Sequence, residues 1–262
     1  MIKYFARNEQ GRDFVVGDIH GAFDLVLRAM EKAKFDPAID RLFSVGDLID
    51  RGNGSHRCVK FLAQPYVHAV RGNHEDMLID LYKDGEPAPE VLMFAARTNG
   101  FGWWLSTSDS QRQVILAAIR DLPYVLEVET TRGTVGILHA DVPRGMSWGS
   151  FLEAVIAGEQ SVLETCLWGR SRVQLGDSSG VTGVGRVFVG HTPQDGPKQL
   201  GNVFYIDSAA VFGALHGVNE GWLTMAAIDA RTSAIAAPRK GRSLVDLRVD
   251  AVAPSVPFGC GR

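Results

Sequence analysis

The chain has 262 residues, 45% of them hydrophobic and 22% charged, with a formal net charge of −3. That length suits one large domain or two small ones with a continuous core, and the composition is that of a globular protein. The charge balance excludes a polycation that holds nucleic acid by bulk attraction; no nucleic-acid partner is expected.

The start, MIKYFARNEQGRDF, carries charges where a signal peptide needs an apolar stretch. No apolar run approaches the roughly 20 residues of a membrane span. Cys58, Cys166 and Cys260 are odd in number and far apart, which suits a reducing compartment rather than a disulfide framework. The expectation is a cytoplasmic protein with no membrane partner.

Asp13–Val16 is a short apolar run ending in Gly17, and 22–34 then carries Phe23, Val26, Leu27 and Met30 at helical spacing. Arg41–Val45 and Val67–Arg71 repeat the strand pattern, followed by helical patterns over Ser55–Ala63 and Glu75–Tyr82. Strand, glycine turn and helix, three times over, predict a layered α/β fold, in which ligands sit beyond the C-terminal strand ends. The breaker cluster at 85–89 opens a helical insert over about 85–122, with helices at Glu90–Arg97 and Ser110–Leu122. Tyr124–Glu129 and Thr134–Leu138 predict a β-hairpin that delivers His139. Helices near Phe151–Ala157 and Ser161–Trp168 follow, then a mobile Gly- and Ser-rich loop over Gln174–Val184. Arg186–Val189, Val203–Ile206 and Leu223–Ile228 read as strands, and the Pro- and Gly-bearing tail, 238–262, as weakly ordered. The whole, 1–262, is expected to form a single domain.

Five segments place Asp, Asn or His where a β-branched run ends: Gly17-Asp18-Ile19-His20-Gly21, Gly46-Asp47-Leu48-Ile49-Asp50-Arg51-Gly52, Gly72-Asn73-His74-Glu75, His139-Ala140-Asp141 and Gly190-His191-Thr192. Asp18 and His20, two apart at a strand end, project to one side and reach one cation. The two oxygens of Asp47 suit a bridge between two ions about 3.5–4 Å apart. Asn73 offers a neutral oxygen, and His139 and His191 neutral imidazoles. Such mixed nitrogen and oxygen ligation favours Mn, Fe, Zn or Co over Ca or Mg.

His74 falls at the rim, placed to protonate a leaving alkoxide, with Asp50 placed to hold its imidazolium. Arg51 offers a planar fork for phosphate, and Arg170 a second clamp. Alone, each motif reads equally as a capped turn or a helix start. Together they put four of the seven histidines at strand ends beside carboxylates or amides, which chance does not readily supply. His56, His68 and His216 read as surface or packing residues, Cys166 and Trp168 as helix core, and Trp103-Trp104 as packing. Asp141 reads either as a turn residue or as a hydrogen-bond partner of His139 or His74.

At these residues the chain resembles the phosphoprotein phosphatase (PPP-type) branch of the calcineurin-like metallophosphoesterases. GDxHG, GDxxDRG, GNHE, HA and GH occur in family order between Gly17 and about Asp207. The His-Ala-Asp form and Trp168-Gly169-Arg170 look most like the small bacterial and phage lambda-type serine/threonine phosphatases. The resemblance implies a four-layer α/β/β/α sandwich and two divalent metal ions, manganese first among the candidates. Asp18 and His20 would bind the first, Asp47 would bridge, and Asn73, His139 and His191 would bind the second. His74 would be the acid, oriented by Asp50, with Arg51, Asn73 and Arg170 on phosphate. The implied reaction removes phosphate from phosphoserine and phosphothreonine of a phosphoprotein or phosphopeptide, by direct attack of a metal-bridging hydroxide. A symmetrical diadenosine tetraphosphate hydrolase of the same superfamily is the nearest rival. That branch typically has Ala at position 50 and Asp at position 75, so Asp50 and Glu75 favour the protein phosphatase. A non-catalytic scaffold is the other rival, yet no ligand or acid is missing.

Overall fold

The computed structural model describes residues 1–211, 222–229, 234–238 and 245–247. Among these residues, twelve strands lie in two six-stranded sheets. One sheet holds β1 (Ile2–Phe5), β5 (Val125–Thr130), β6 (Gly133–Leu138), β7 (Arg186–Val189), β9 (Val203–Tyr205) and β8 (Lys198–Leu200), in that order. The other runs β12 (Val245–Leu247), β11 (Ala234–Pro238), β10 (Trp222–Ala227), β2 (Asp13–Val16), β3 (Arg41–Ser44) and β4 (Val67–Ala69).

The strands sort their side chains by the two-residue period of a pleated backbone. Val15, Phe43, Ala226 and Ile228 of the second sheet meet Leu126, Val128, Val135, Ile137, Phe188 and Phe204 of the first in one buried cluster between the sheets. Their neighbours in sequence point outward. Phe14, Val16, Leu42 and Met225 pack under helices α1 (Phe23–Lys32) and α3 (Asn73–Leu81) and the helices of 89–120, and Leu138, Val187, Val189 and Tyr205 under α7 (Trp148–Ala157) and α8 (Gln160–Trp168). The inner strands β2, β3, β6, β7 and β10 are covered on both faces, which is why they read as continuous apolar runs. The resulting layers are α/β/β/α, as expected.

Segments 55–63 and 85–122 form the helices foreseen. A 3-10 turn at Ser55–Arg57 leads into α2 (Cys58–Leu62). In the insert, Pro89 opens α4 (Pro89–Thr98), α5 spans Gly102–Leu105, and Ser108 caps α6 (Asp109–Arg120) by accepting from the Gln111 N–H. Strands β1, β8, β11 and β12 and helices α5 and α9 (Ser171–Leu175) are additions to the predicted elements.

One expectation about order is corrected. The 174–184 stretch is fastened rather than loose: Asn202 accepts from the Val181 N–H and donates to the carbonyls of Val181 and Val184, and Asp177 pairs with Arg144. In the tail, Pro238 ends β11 and Val245–Leu247 pairs with it; the remaining tail, with Cys260, and His216 lie outside the described residues.

His68 packs against the rings of Phe5 and Phe43, at 4.4 and 5.3 Å, as a packing histidine should. Burial, with Arg41 and Lys3 nearby, lowers its pKa to about 4. The unfolded chain therefore takes up this proton near pH 6.5 and the folded chain only near pH 4, so this contribution to stability is complete above pH 6.5 and lost as pH falls toward 4. Because the ring is only partly buried, the loss is about 1–2 kcal/mol rather than the full value of the shift. Urea unfolding of His68→Phe and wild type at pH 7 and pH 4.5 should show the wild type losing that much more; parallel pH dependences would contradict it.

Candidate metal centre

The C-terminal ends of five strands converge. Asp18 follows β2, Asp47 follows β3, Asn73 opens α3 after β4, His139 follows β6 and His191 follows β7. All five are buried, as are His20, Asp50 and His74. Seven non-glycine residues have positive φ among the described residues, and five are His20, Asp47, Asp50, Arg51 and His191. Each such conformation costs about 1–3 kcal/mol and persists only where surroundings enforce it.

Glu75 supplies much of that enforcement. Its carboxylate accepts from the backbone N–H groups of Gly72, Asp47, Leu48 and Ile49, at 2.8–3.2 Å. One side chain thus ties the Asp47–Asp50 turn to the start of α3. Gly190 shows how close the loops approach, since a Cβ there would overlap Oδ1 of Asp18 and come within 2.7 Å of Val45.

Nδ1 of His20 donates to the Ile49 carbonyl at 2.8 Å, and Nδ1 of His139 to the Val45 carbonyl at 2.8 Å. Both rings therefore turn Nε2 inward. The two oxygens of Asp47 face different partners: Oδ2 lies 3.4 Å from Nε2 of His20, and Oδ1 lies 3.4 Å from Nε2 of His139. Oδ1 of Asn73 lies 2.7 Å from Nε2 of His139 and 2.8 Å from Nδ1 of His191. Asp18 accepts from the His191 N–H. Asp18, Asp47 and His139 hold donor atoms within 4.8 Å of one another, as do His20, Asp47 and His74.

The electrostatics fit cations. Burial lowers the pKa of His20, His139 and His191, the last to about 2, so all three are neutral, which is the form that ligates a metal. The inward Nε2 of neutral His139 is then a lone pair aimed at two oxygen acceptors, an arrangement that a divalent cation reconciles. Burial and the neighbouring Asp207 and Asp47 carboxylates push Asp18 well up. Asp207, which follows β9, is itself raised to about 6 by burial and Asp47. A cluster of carboxylates and neutral imidazoles with so little positive charge suits a pair of divalent ions.

His74 differs from the other three. Burial alone would lower its pKa, but Asp47 and the 2.6 Å hydrogen bond from Nδ1 to Asp50 raise it. Its Nε2 faces the cluster at 3.9 Å from Oδ2 of Asp47, further than the 3.4 Å of His20. Nη1 of Arg51 lies 3.0 Å from Nε2 of His20, and Arg170 reaches Thr192 at 3.4 Å. The side chains singled out in the sequence therefore gather around one centre.

Several single-residue readings change. Asp141 pairs with Arg172 at 2.9 Å and with Tyr205 rather than with His139 or His74. Trp168 is 45% exposed, with its ring edge-on to His191 at 5.8 Å, not part of the helix core; Cys166 is buried as expected. Trp104 is fully buried, but Trp103 donates its indole N–H to Oδ1 of Asp50 at 2.8 Å. Asp207 went unnoticed in the sequence, although it too ends an apolar strand. His56 is exposed.

Residues 14–195 match the model of the calcineurin-like phosphoesterase family. Serine/threonine-protein phosphatase 1 of Salmonella typhimurium is 34% identical over 82% of this chain and 91% of its own. A symmetrical bis(5'-nucleosyl)-tetraphosphatase of Pseudomonas putida is 30% identical over 56% of this chain and 47% of its own. A serine/threonine phosphatase structure from Saccharomyces cerevisiae shares the fold, with a TM-score of 0.52 at 18% identity over 87% of this chain and 76% of that one. The family match over most of the chain, the four-layer fold and the convergent ligand set agree: this chain belongs to the calcineurin-like phosphoesterases, and its centre is built for divalent metal ions.

Proposed function

We propose that this chain is a serine/threonine protein phosphatase, a metal-dependent hydrolase that removes phosphate from phosphoserine and phosphothreonine in proteins. The observation that carries the reading is the split of Asp47, one oxygen toward His20 and the other toward His139, beside a His74 held by Asp50. Asp18, His20 and Asp47 would hold one cation, and Asp47, Asn73, His139 and His191 the second. Two bound cations supply Lewis acidity toward a phosphate and toward water. Manganese is the first candidate, and the cytoplasm the expected compartment. Among the described residues no helix is long and apolar enough to cross a membrane. The chain would act as one catalytic domain carrying the 85–122 insert.

The protein's own groups divide the remaining work. Arg51 and Arg170 bring two guanidinium groups to the rim, suited to the non-bridging oxygens of phosphate, and the Asn73 amide adds a polar contact there. His20 would turn toward the first cation, and the Arg51 guanidinium, 3.0 Å from its Nε2, stands where it would meet the phosphate. His74 holds a proton on Nε2 and gives it to the departing seryl or threonyl oxygen, while Asp50 keeps Nδ1–H in place. Cys58 and Cys166 are buried with thiols pushed up to about 12 by burial, so neither is suited to serve as a nucleophile.

The similarity to a tetraphosphatase keeps diadenosine tetraphosphate as the rival substrate. With manganese added to metal-stripped protein, a phosphoserine peptide should turn over with a kcat/KM at least ~10-fold above that for diadenosine tetraphosphate, a difference of 1.4 kcal/mol in transition-state binding. The reverse order would favour the nucleotide reading, and no hydrolysis of either would favour a scaffold.

A further inference from the structure

The helical insert meets the catalytic loop at two points. The backbone N–H of Arg51 donates to the Gly100 carbonyl at 3.0 Å, and the Trp103 indole N–H donates to Oδ1 of Asp50 at 2.8 Å. Gly100 sits at φ +80°, and a Cβ on it would come within 2.8–3.1 Å of Cγ, the backbone N and Cα of Arg51, so this approach needs glycine. Asp50 and Arg51 are themselves strained, at φ +71° and +66°.

Asp50 is completely buried. Its Oδ2 takes the bond from His74, and its Oδ1 takes the bond from Trp103. A buried carboxylate with one oxygen unpaired is free to rotate or to take a proton. The indole is fixed in turn: its ring lies edge-on to Trp104 at 5.2 Å, and Trp104 is anchored by an N–H bond to the Tyr82 hydroxyl. A phenylalanine would fill most of the space and remove only the donor.

We propose that Trp103 is a positioning residue for proton donation: through Asp50 it orients His74, making the insert part of the acid machinery rather than a cover beside it. This rests on His74 acting as the general acid. The consequence is selective. p-Nitrophenolate leaves without a proton, whereas a serine alkoxide does not, so loss of acid alignment slows phosphoserine peptide hydrolysis and largely spares p-nitrophenyl phosphate.

The experiment compares Trp103→Phe, Trp104→Phe and His74→Asn, metal-loaded, on both substrates. Trp103→Phe should lower kcat on the peptide by ~10-fold or more, with KM little changed, and lower p-nitrophenyl phosphate turnover less than ~3-fold, the same direction of selectivity as His74→Asn. Trp104→Phe, which removes the bond that anchors the ring against Trp103, should show the same selectivity in weaker form. Equal losses on both substrates for Trp103→Phe, or none, would overturn the proposal while a selective His74→Asn upholds the acid. A His74→Asn enzyme slowed equally on both substrates would refute the acid assignment itself, and the Trp103 role with it.

Discussion

Replacing His74 by Asn should lower kcat on a phosphoserine peptide by about 10²–10⁴-fold and leave metal content unchanged. His74 is buried, its Nδ1 is committed to Asp50 at 2.6 Å, and its charged form is favoured by Asp47 and Asp50. Asparagine retains the backbone N–H that bonds Oδ1 of Asp47 and offers an amide toward Asp50, but it has no proton to give. A rival role exists, because His74 joins His20 and Asp47 in a group whose donor atoms lie within 4.8 Å of one another. Metal analysis separates the two: an acid leaves stoichiometry intact when replaced, whereas a ligand takes a cation with it. A variant that kept full activity, or that lost an ion, would refute the assignment.

Asp47→Asn should be more damaging. The substitution preserves size but turns one of two oxygens into an NH2 that cannot ligate. Since Oδ1 and Oδ2 face His139 and His20 respectively, one of the two positions loses its shared oxygen whichever way the amide turns. Cation stabilisation of a transferring phosphate amounts to several kcal/mol, so kcat should fall roughly 10³-fold or more. Bound metal should fall to no more than one ion per chain. Near-wild-type turnover with two ions retained would mean that Asp47 is not shared.

The centre was legible because its ligands end strands whose apolar runs are visible in the sequence. Asp18, Asp47, Asn73, His139 and His191 each stand within three residues of a strand end or at the start of the following helix, and topology brings those ends together. What was not legible depends on contacts between distant segments. Glu75 looks like a residue of a first helical turn, yet three of its hydrogen bonds cross 26–28 positions to the Asp47–Ile49 backbone. Trp103 lies 53 positions from Asp50, and its indole N–H gives no local signal. Trp168 shares an apolar helix with Cys166 and so reads as core until the helix end is seen to meet His191. Strand β1 was missed because Lys3 and Tyr4, on its opposite faces, are both exposed, leaving too little alternation to mark an edge strand. Asp207 ends β9 as the other carboxylates end their strands, but lacks the glycine before it that drew attention to Asp18 and Asp47.

The proposed chemistry requires two cations sharing Asp47. Electron paramagnetic resonance of the metal-stripped protein titrated with manganese tests this most directly. Two equivalents per chain should bind, with the six-line signal of isolated manganese giving way to an exchange-coupled spectrum, and the coupling should vanish in Asp47→Asn. Binding of a single equivalent, or of two with no magnetic interaction, would contradict the bridged centre.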